Sequence, residues 1–284
     1  MSDLVLVTGA TGFIGRALVG RLRERGGQVL AFSSSDGDIA DASIFRKLND
    51  CALSHVIHLA GTSYVPESWR APASFIRTNV QGTANVLELC RARKVGLTHL
   101  SAYVFGVPER LPVAEDAPRR PNNPYAMSKY LAEELCRFFS EAYGVPVTVL
   151  RPFNVYGPGQ DSRFLIPHVV AQLRGPAIEV KDLSPRRDYV HVDDVVEGIL
   201  RGAERQAGYN VFNLGAGSSH SVADIVRIAQ KAAGTDLPVV CSSEPRRDEI
   251  PDVVADIRLA RRVLGWEPRI GLDAGIRILV RPAA

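Results

Sequence analysis

The feature that most constrains the fold is a glycine-rich turn between an apolar run and an amphipathic stretch near the start of the chain. Residues 4–7 are apolar and predict a short buried strand. From Ile14 onwards apolar residues recur at helical spacing, and a glycine pair at 26–27 ends the pattern. Glycine allows a tight turn and close packing of helix on strand. The turn carries three glycines at every third position, Gly9, Gly12 and Gly15.

Such a turn also has a chemical consequence. The first N–H groups of a helix have no partner inside the helix, and the helix dipole gives that end a partial positive charge. Without side chains in the way, a pyrophosphate can approach these N–H groups closely. The turn opens the first strand–helix–strand unit of the chain, which is the context in which it indicates dinucleotide binding.

The alternation of strands and helices continues through the first half of the chain. Further strands are predicted at 29–32, 56–60, 97–100 and 147–150, and helices at 79–94 and 128–143. The strands are continuous apolar runs, which is typical of a parallel sheet covered on both faces. We therefore predict an α/β protein with a Rossmann-type, doubly wound parallel sheet.

The regular rhythm ends near Arg151, where proline, glycine and arginine become frequent. We predict a dinucleotide-binding domain over 1–152 and a smaller C-terminal substrate lobe over 153–284. The apolar run at 189–192, followed by a helix from Asp193, reads as a return to the main sheet. On this interpretation residues 187–213 rejoin the first domain, and the substrate lobe is interleaved with it.

Composition excludes several other classes of protein. The formal net charge is +3 and no basic run is present, so a nucleic-acid partner is not expected. The four cysteines form no CxxC pair and the histidines lack metal-ligand spacing, which predicts reduced thiols, a cytoplasmic location and no metal site. No apolar run is long enough to predict a membrane span.

A second pattern, YxxxK, follows the strand at 97–100. Tyr125 and Lys129 are one helical turn apart and so lie on one face of a helix. A phenol with a pKa of about 10 is a poor base at neutral pH, but a neighbouring ammonium lowers that pKa. The pair therefore predicts proton transfer by Tyr125 with support from Lys129.

Together these motifs resemble the extended branch of the short-chain dehydrogenase/reductase superfamily. The segments 151–158 and 187–194 are similar to its nucleotide-sugar epimerase and 4-ketoreductase members, in the NAD-dependent epimerase/dehydratase family. The resemblance implies that Ser101, five residues before a glycine, orients the substrate oxygen beside Tyr125 and Lys129. It also implies the cofactor-binding residues Gly9, Thr11, Gly12, Phe13, Ile14, Gly15, Ser33, Asp38, Ile39, Leu59, Ala60, Gly61, Asn79, Tyr125 and Lys129.

The end of the second strand bears on the choice of cofactor. NAD-binding members carry an acid there for the ribose hydroxyls, whereas this chain has Ser33. A hydroxyl accepts a 2′-phosphate that a carboxylate would repel, and Arg16 could add positive charge. This favours NADP(H) over NAD(H). The alternative is that Asp36 takes the role of the acid.

The resemblance also implies a nucleoside-diphosphate-sugar substrate. Asn154, Arg187 and Arg246 fall on family positions that contact the diphosphate, and the arginine fork matches phosphate oxygens. Ala102 and Tyr103 follow Ser101 where sugar 4,6-dehydratases carry acids, so dehydration is not expected.

The resulting hypothesis is an NAD(P)-dependent enzyme acting at C4 of the sugar, most specifically a 4-keto-6-deoxysugar reductase. One alternative is an NAD-dependent nucleotide-sugar 4-epimerase, which the stretch at 191–194 resembles more closely. Others are a reductase of carbonyls outside sugars and a non-catalytic protein that senses the dinucleotide.

The helices after Asn79 and from Ser128 resemble the pair that forms a four-helix dimer interface in the family, which predicts a homodimer.

Overall fold

The computed structural model describes residues 4–48, 51–205, 207–243 and 249–280. The strands are β1 Leu4–Thr8, β2 Gln28–Phe32, β3 Leu53–His58, β4 Gly96–Leu100, β5 Val147–Pro152, β6 Asn154–Tyr156, β7 Ile178–Val180, β8 Arg186–His191, β9 Tyr209–Leu214, β10 Ser219–Ser221 and β11 Val239–Cys241. The helices are α1 Phe13–Glu24, α2 Val65–Arg70, α3 Pro72–Phe75, α4 Gly82–Arg93, α5 Pro124–Tyr143, α6 Leu165–Gln172, α7 Val192–Ala203, α8 Val222–Ala233, α9 Arg258–Leu264 and α10 Leu272–Val280. A 3-10 helix covers Ala42–Leu48, and a π-helical turn, Ile76–Gln81, precedes α4.

The central sheet has six strands in the order β2-β1-β3-β4-β5-β9. Neighbouring strands from β2 to β5 are parallel. The chain moves from β1 to β2 on one side and then to β3 on the other, so the strand order reverses at β1. Ligands of doubly wound sheets bind at the carboxyl ends of the strands beside such a reversal. The predicted Rossmann-type fold is confirmed.

The predicted return to the main sheet at 189–192 is wrong. The strand there is β8, which lies between β6 and β10 in a separate three-stranded sheet. The strand that joins the central sheet beside β5 is β9. An apolar run followed by a helix indicates a buried strand, but the partner of that strand is a long-range choice that local periodicity does not encode.

The chain divides into two compact units, each built from several segments. The first comprises Met1–Gly106, Pro118–Arg151 and Val196–Phe212, and the second comprises Val107–Ala117, Pro152–Val195 and Asn213–Ala284. Apolar side chains from the sheet and its covering helices form the core of the first unit, among them Leu6, Val56, Val86, Leu97 and Val149. The second unit has its own core, which includes Tyr156, Val169, Ile178, Ile225 and Ile276.

Helix α5 carries the YxxxK pattern, and its ends have clear chemical causes. The Asn123 side chain caps the helix by accepting a hydrogen bond from the Ala126 N–H at 2.8 Å, and Pro124 fills the first helical position. Gly144 ends the helix in the left-handed region, with φ of 69°. The helix begins four residues before the predicted Ser128, because the cap and the proline precede the apolar stripe.

Candidate active site

The glycine turn after β1 has the shape that a phosphate cradle requires. Gly9 has φ of 70°, and a Cβ there would lie 2.6 Å from the backbone nitrogen of Ala60. A Cβ on Gly15 would collide with the carbonyl oxygen of Gly9. Gly12 is the N-cap of α1 and offers no side chain to the first N–H groups of the helix. Gly9 and Gly15 thus allow the close packing of the turn, and the bare N-terminus of α1 fits the pyrophosphate of a dinucleotide.

The other residues predicted in the turn lie beside it. Thr11 is exposed, and its carbonyl oxygen accepts a hydrogen bond from Arg16 Nη1 at 2.6 Å. Phe13 and Ile14 are half-buried in the first turn of α1. Arg16 is thus held against the phosphate turn.

The loop after β3 reaches the same edge of the sheet. The Leu59 N–H donates to the carbonyl oxygen of Thr8 at 3.1 Å. The Thr8 hydroxyl meets His58 Nδ1 at 2.7 Å, and the Ala60 N–H points to that hydroxyl at 3.3 Å. The loop is therefore fixed to the end of β1, next to the glycine turn.

Asn79 ties this loop to the helix of the YxxxK pattern. It lies buried in the π-helical turn. Its Oδ1 accepts from the Thr62 N–H at 2.9 Å, and its Nδ2 donates to the Thr62 carbonyl at 3.0 Å and to Ser128 Oγ at 2.8 Å. A Cβ on Gly61 would lie 2.9 Å from Asn79 Oδ1. Sequence reasoning missed Ser128, whose position inside the YxxxK pattern was the available signal.

Ser101 and Lys129 meet at the carboxyl end of β4. The Lys129 ammonium donates a hydrogen bond to the carbonyl oxygen of Leu100 at 2.6 Å, and Ser101 is the next residue. The Ser101 side chain is 4% exposed. Its Oγ has no hydrogen-bond partner among the described residues, although buried hydroxyls normally have one. Tyr125 lies in the first turn of α5, half-buried, with its ring edge-on to Phe75 at 6.4 Å between centroids.

Burial dominates the electrostatics of this region. It lowers the pKa of Lys129 to about 8, although Glu133 and then Cys136 oppose the shift. It raises the pKa of the Tyr125 phenol, and the neighbouring Tyr103 adds to that rise. The lowering of the Tyr125 pKa by Lys129 thus stays a prediction, because the protein by itself moves this pKa upwards.

Two histidines lie beside Lys129 on neighbouring strands. Burial, followed by the Lys129 charge, lowers the pKa of His58 to about 3 and that of His99 well below its usual value. Their rings are 5.3 Å apart. Both are neutral at physiological pH. No group of three His, Cys, Asp or Glu side chains in the described part of the chain could hold a metal ion.

The residues predicted for the adenosine end lie after β2. Asp36 Oδ2 accepts hydrogen bonds from the Ser33 N–H at 2.9 Å and from the Ser33 hydroxyl at 3.0 Å. A carboxylate therefore lies next to Ser33, the first residue after the strand. Asp38 is exposed and forms an ion pair with Arg77 at 2.6 Å. The Ile39 side chain packs in the core of the first unit.

The predicted substrate residues belong to the second unit. Asn154 begins β6 and donates from Nδ2 to the Asp188 carbonyl at 3.2 Å. Arg187 on β8 donates to the Ile250 carbonyl at 2.6 Å and forms an ion pair with Glu249. Sequence reasoning missed this acidic partner, which lies 62 residues away in the chain. Arg246 lies outside the described residues.

Asp188, between these positions, has a structural role. Its carboxylate accepts from the N–H groups of Ala216 at 2.6 Å, Gly217 at 3.0 Å and Ala255 at 3.0 Å. Burial raises its pKa to about 6, and the three backbone hydrogen bonds oppose the shift. It joins three separate segments of the second unit.

Comparison with known proteins agrees with the fold. The NAD dependent epimerase/dehydratase family matches residues 5–215. A UDP-glucose 4-epimerase of Lactobacillus helveticus is 32% identical, over 93% of this chain and 92% of the relative. A GDP-6-deoxy-D-mannose reductase of Pseudomonas aeruginosa is 31% identical, over 99% of this chain and 97% of the relative.

Solved structures of similar proteins have the same fold. The UDP-glucose 4-epimerase of Thermotoga maritima, with UDP-glucose, superposes with a TM-score of 0.92 at 30% identity, over 98% of this chain and 97% of that one. MoeE5 with UDP-glucose and NAD gives 0.88 at 32% identity, over 98% and 97%. RMD of Pseudomonas aeruginosa with NADPH gives 0.88 at 30% identity, over 98% of both chains.

The chain belongs to the NAD dependent epimerase/dehydratase family. It is an NAD(P)-dependent, nucleotide-sugar-modifying enzyme of the extended short-chain dehydrogenase/reductase type. The expectation of an enzyme is confirmed, and the alternative of a non-catalytic sensing protein has no support in these relatives. None of the described helices combines the length and apolar character needed to span a membrane.

Proposed function

We propose that the protein transfers a hydride at C4 of a nucleoside-diphosphate sugar. The observation that carries this proposal is at the carboxyl end of β4, where the buried Ser101 hydroxyl has no partner among the described residues and the Lys129 ammonium binds the carbonyl of the preceding Leu100. Ser101 donates a hydrogen bond to the C4 oxygen, and Tyr125 exchanges a proton with that oxygen. The nicotinamide, when bound, supplies or accepts the hydride.

Lys129 has two tasks in this proposal. Its ammonium holds the nicotinamide ribose and places a positive charge near Tyr125. Since burial and Tyr103 raise the pKa of Tyr125, a positive charge is needed to make the phenolate accessible near neutral pH. In the direction of carbonyl reduction Tyr125 acts as the acid, and a raised pKa keeps its proton available.

For the substrate, we propose a nucleoside diphosphate bound through Asn154, Arg187 and Arg246. Arginine is suited to phosphate because its planar fork donates two parallel hydrogen bonds. The Arg187–Glu249 pair means that a phosphate at Arg187 competes with a carboxylate. The relatives named above act on UDP- and GDP-linked sugars, which supports the class and leaves the base open.

The specific reaction we propose is reduction of a 4-keto-6-deoxysugar with NADPH. Ser33, which directly follows β2, supports it, because a hydroxyl tolerates a 2′-phosphate. The second candidate is a 4-epimerase that retains NAD. The Asp36 carboxylate on the Ser33 hydroxyl favours this second candidate, because a negative charge there repels a 2′-phosphate.

Identification of the bound dinucleotide separates the two reactions. The purified protein is denatured, the released dinucleotide is identified by mass, and the stripped protein is titrated with NADPH and NADH. A reductase must exchange its cofactor at every turnover, so we expect little retained dinucleotide and a preference for NADPH. Stoichiometric NAD carried through purification would instead identify the epimerase, which regenerates its cofactor in each cycle.

We further propose a homodimer formed through α4 and α5. Met127, Leu131 and Phe138 lie on one stripe of α5 and are 40%, 37% and 52% exposed. Trp69 and Ile76, from the neighbouring α2 and the π-helical turn, are also exposed. Exposed apolar side chains on one face of a helix are typical of a protein–protein interface. A cytoplasmic location stays a prediction, which cell fractionation tests.

A further inference from the structure

A buried ion pair lies one helical turn beyond Lys129. Glu133 on α5 is fully buried, and Arg151 at the end of β5 is 2% exposed. Arg151 Nε lies 2.9 Å from Glu133 Oε1, and Arg151 Nη2 lies 2.6 Å from Oε2. The guanidinium also stacks over Phe105 at 5.2 Å. Arg119 approaches Glu133 Oε2 at 3.7 Å.

Such a pair contributes little to stability. Removing two charges from water costs several kcal/mol, and replacement of a buried pair by apolar residues is often neutral or stabilising. Its charges nevertheless act on neighbouring groups, because a buried site screens them poorly. The neighbour four residues earlier on the same helix face is Lys129, which the proposed function places at the nicotinamide.

Several charged and titratable groups surround Lys129, and Glu133 differs from the others in its effect on the Lys129 pKa. Tyr125 and Cys136 lie on the same helix, His58 on β3 and His99 on β4. Burial holds the pKa of both histidines low and that of the Cys136 thiol high, so these groups are neutral. Glu133 is the strongest of the groups that raise the pKa of Lys129 against burial.

We propose that Glu133, fixed in place by Arg151, is a positioning residue that keeps Lys129 protonated at the working pH of the enzyme. The proposal rests on the proposed function only for what the protonated Lys129 then does. Arg151 has a separate task, which is to orient the carboxylate through two hydrogen bonds. Removal of Glu133 should therefore lower the Lys129 pKa more than removal of Arg151 does.

The lysine content of the chain permits a direct measurement. The five lysines are Lys47, Lys94, Lys129, Lys181 and Lys231. Lysine labelled with ¹³C at Cε gives one NMR signal for each residue, and a Lys129→Arg variant assigns the signal of Lys129. Its titration between neutral and alkaline pH gives the Lys129 pKa in the full-length protein, without substrate.

In Glu133→Gln we expect the Lys129 pKa to fall by about one unit or more, the size of shift that a nearby opposite charge produces. In Arg151→Met we expect a smaller fall, because the Glu133 carboxylate remains and Arg119 still lies 3.7 Å from it. Glu134→Gln is the matched control. It removes a neighbouring carboxylate that pairs with Arg119 and Arg137, and should leave the Lys129 pKa unchanged.

A Lys129 pKa in Glu133→Gln equal to that of the wild type would overturn the proposal, as would equal falls in Glu133→Gln and Arg151→Met. If Glu133→Gln does not fold, the double variant Glu133→Gln/Arg151→Met removes both charges, and the Lys129 pKa should again fall. A lower melting temperature with an unchanged Lys129 pKa would indicate that Glu133 has only a structural role.

Turnover gives a second readout once a substrate is known. Activity that needs the ammonium is lost as pH rises through the Lys129 pKa, so Glu133→Gln should move this alkaline loss to lower pH. If Tyr125→Phe retains full turnover while the Lys129 pKa still shifts in Glu133→Gln, the proposed function fails and the role of Glu133 stands.

Discussion

At the scale of single residues, two serine hydroxyls near the candidate active site differ in their hydrogen bonding. Ser128 Oγ accepts from Asn79 and donates to the Tyr125 carbonyl at 2.8 Å, so its hydrogen-bonding capacity serves the fold. Ser101 Oγ is buried and has no partner among the described residues. A buried hydroxyl without a partner costs stability, and a ligand that supplies one recovers that cost. This difference assigns Ser101 to ligand binding and Ser128 to structure.

The two serines should therefore respond differently to alanine. Ser101→Ala should reduce turnover by about 100-fold or more, on the scale of one lost transition-state hydrogen bond. Its melting temperature should not fall, because no protein hydrogen bond is lost. Ser128→Ala should lower the free energy of unfolding by about 1–3 kcal/mol, because it leaves buried partners unsatisfied. Steady-state kinetics and thermal unfolding of both variants check this, and a destabilised Ser101→Ala would contradict it.

A second residue-scale prediction concerns Asp36. The Asp36→Asn variant removes a negative charge beside Ser33, so binding of NADPH should improve relative to NADH by about tenfold, or about 1.4 kcal/mol. Asp41→Asn is the control, since Asp41 is an exposed aspartate that accepts from the Ser43 N–H. Fluorescence titration of the stripped proteins measures both affinities. An unchanged ratio in Asp36→Asn would place Asp36 away from the 2′ position.

At the scale of elements, periodicity predicts the strands and helices of the first unit well because their causes are local. Apolar runs, caps and glycines mark β1 to β5 along with α1, α4 and α5. Pairings over long sequence separation are not local, and two of them were missed. Strand β8 pairs with β6 and β10 and does not join the central sheet. Arg187 forms an ion pair with Glu249. The strand pairing and the ion pair both depend on which distant segments come together in the fold. Local residue spacing does not predict such contacts.

The same reasoning accounts for where most of the candidate site residues lie. Tyr125, Lys129, Ser101 and the glycines lie on elements whose ends converge at one edge of the sheet, so the motifs and the fold class together place them. The buried Glu133–Arg151 pair was not predicted. Its partners are 18 residues apart on a helix and a strand, and nothing in either local pattern marks them as charged core residues.

Helix α1 gives an element-scale prediction with its own control. Gly15→Ala places a Cβ against the Gly9 carbonyl, so the turn must open and dinucleotide affinity should fall by about tenfold or more. Gly20 lies on the exposed side of the same helix, where a Cβ would meet no atom of the described residues within 4 Å beyond the nearby backbone of the helix itself. Gly20→Ala should therefore stabilise the protein by about 0.5–1 kcal/mol. Chemical denaturation and cofactor titration check both, and equal affinities of the two variants would contradict the first.

At the scale of the whole molecule, the buried histidines make stability depend on pH. Burial lowers the pKa of His55 to about 4 and of His58 to about 3, and holds that of His99 well below its usual value. The unfolded chain binds protons at these sites from about pH 6.5 downwards, while the folded chain does not. Their contribution to stability is therefore complete above that pH and is lost as pH falls towards the folded pKa values.

We expect the free energy of unfolding to start to fall near pH 6.5, with a loss of about 2 kcal/mol per buried histidine at pH 5. His58→Asn removes one of these groups, so the slope of stability against pH between 6.5 and 4 should become shallower by about one proton. Urea unfolding at a series of pH values measures the slope. His220→Asn is a control outside the central sheet, and an identical reduction there would contradict the assignment.

The proposed dimer is also a property of the whole molecule. Light scattering should give twice the chain mass of 30.9 kDa. Leu131→Glu and Phe138→Glu place charges in the apolar stripe of α5 and should yield monomers, because burial of an unpaired charge is costly. Ile278→Glu is the control, since Ile278 is exposed on α10. A wild-type monomer, or dissociation by the control alone, would contradict the proposed interface.

The most direct test of the central claim is transfer of deuterium to a sugar carbon. NADPH deuterated at either face of nicotinamide C4 is incubated with the protein and a panel of UDP-, GDP-, CDP- and dTDP-linked 4-keto-6-deoxysugars, and the products are examined by mass spectrometry and NMR. We expect deuterium at sugar C4, from one face of the cofactor only, with transfer reduced by about 100- to 10,000-fold in Tyr125→Phe and unchanged in Tyr143→Phe. Deuterium at no sugar carbon, in a protein that binds NADPH and retains no NAD, would contradict the claim. Equal transfer by wild type and Tyr125→Phe would contradict the role given to Tyr125.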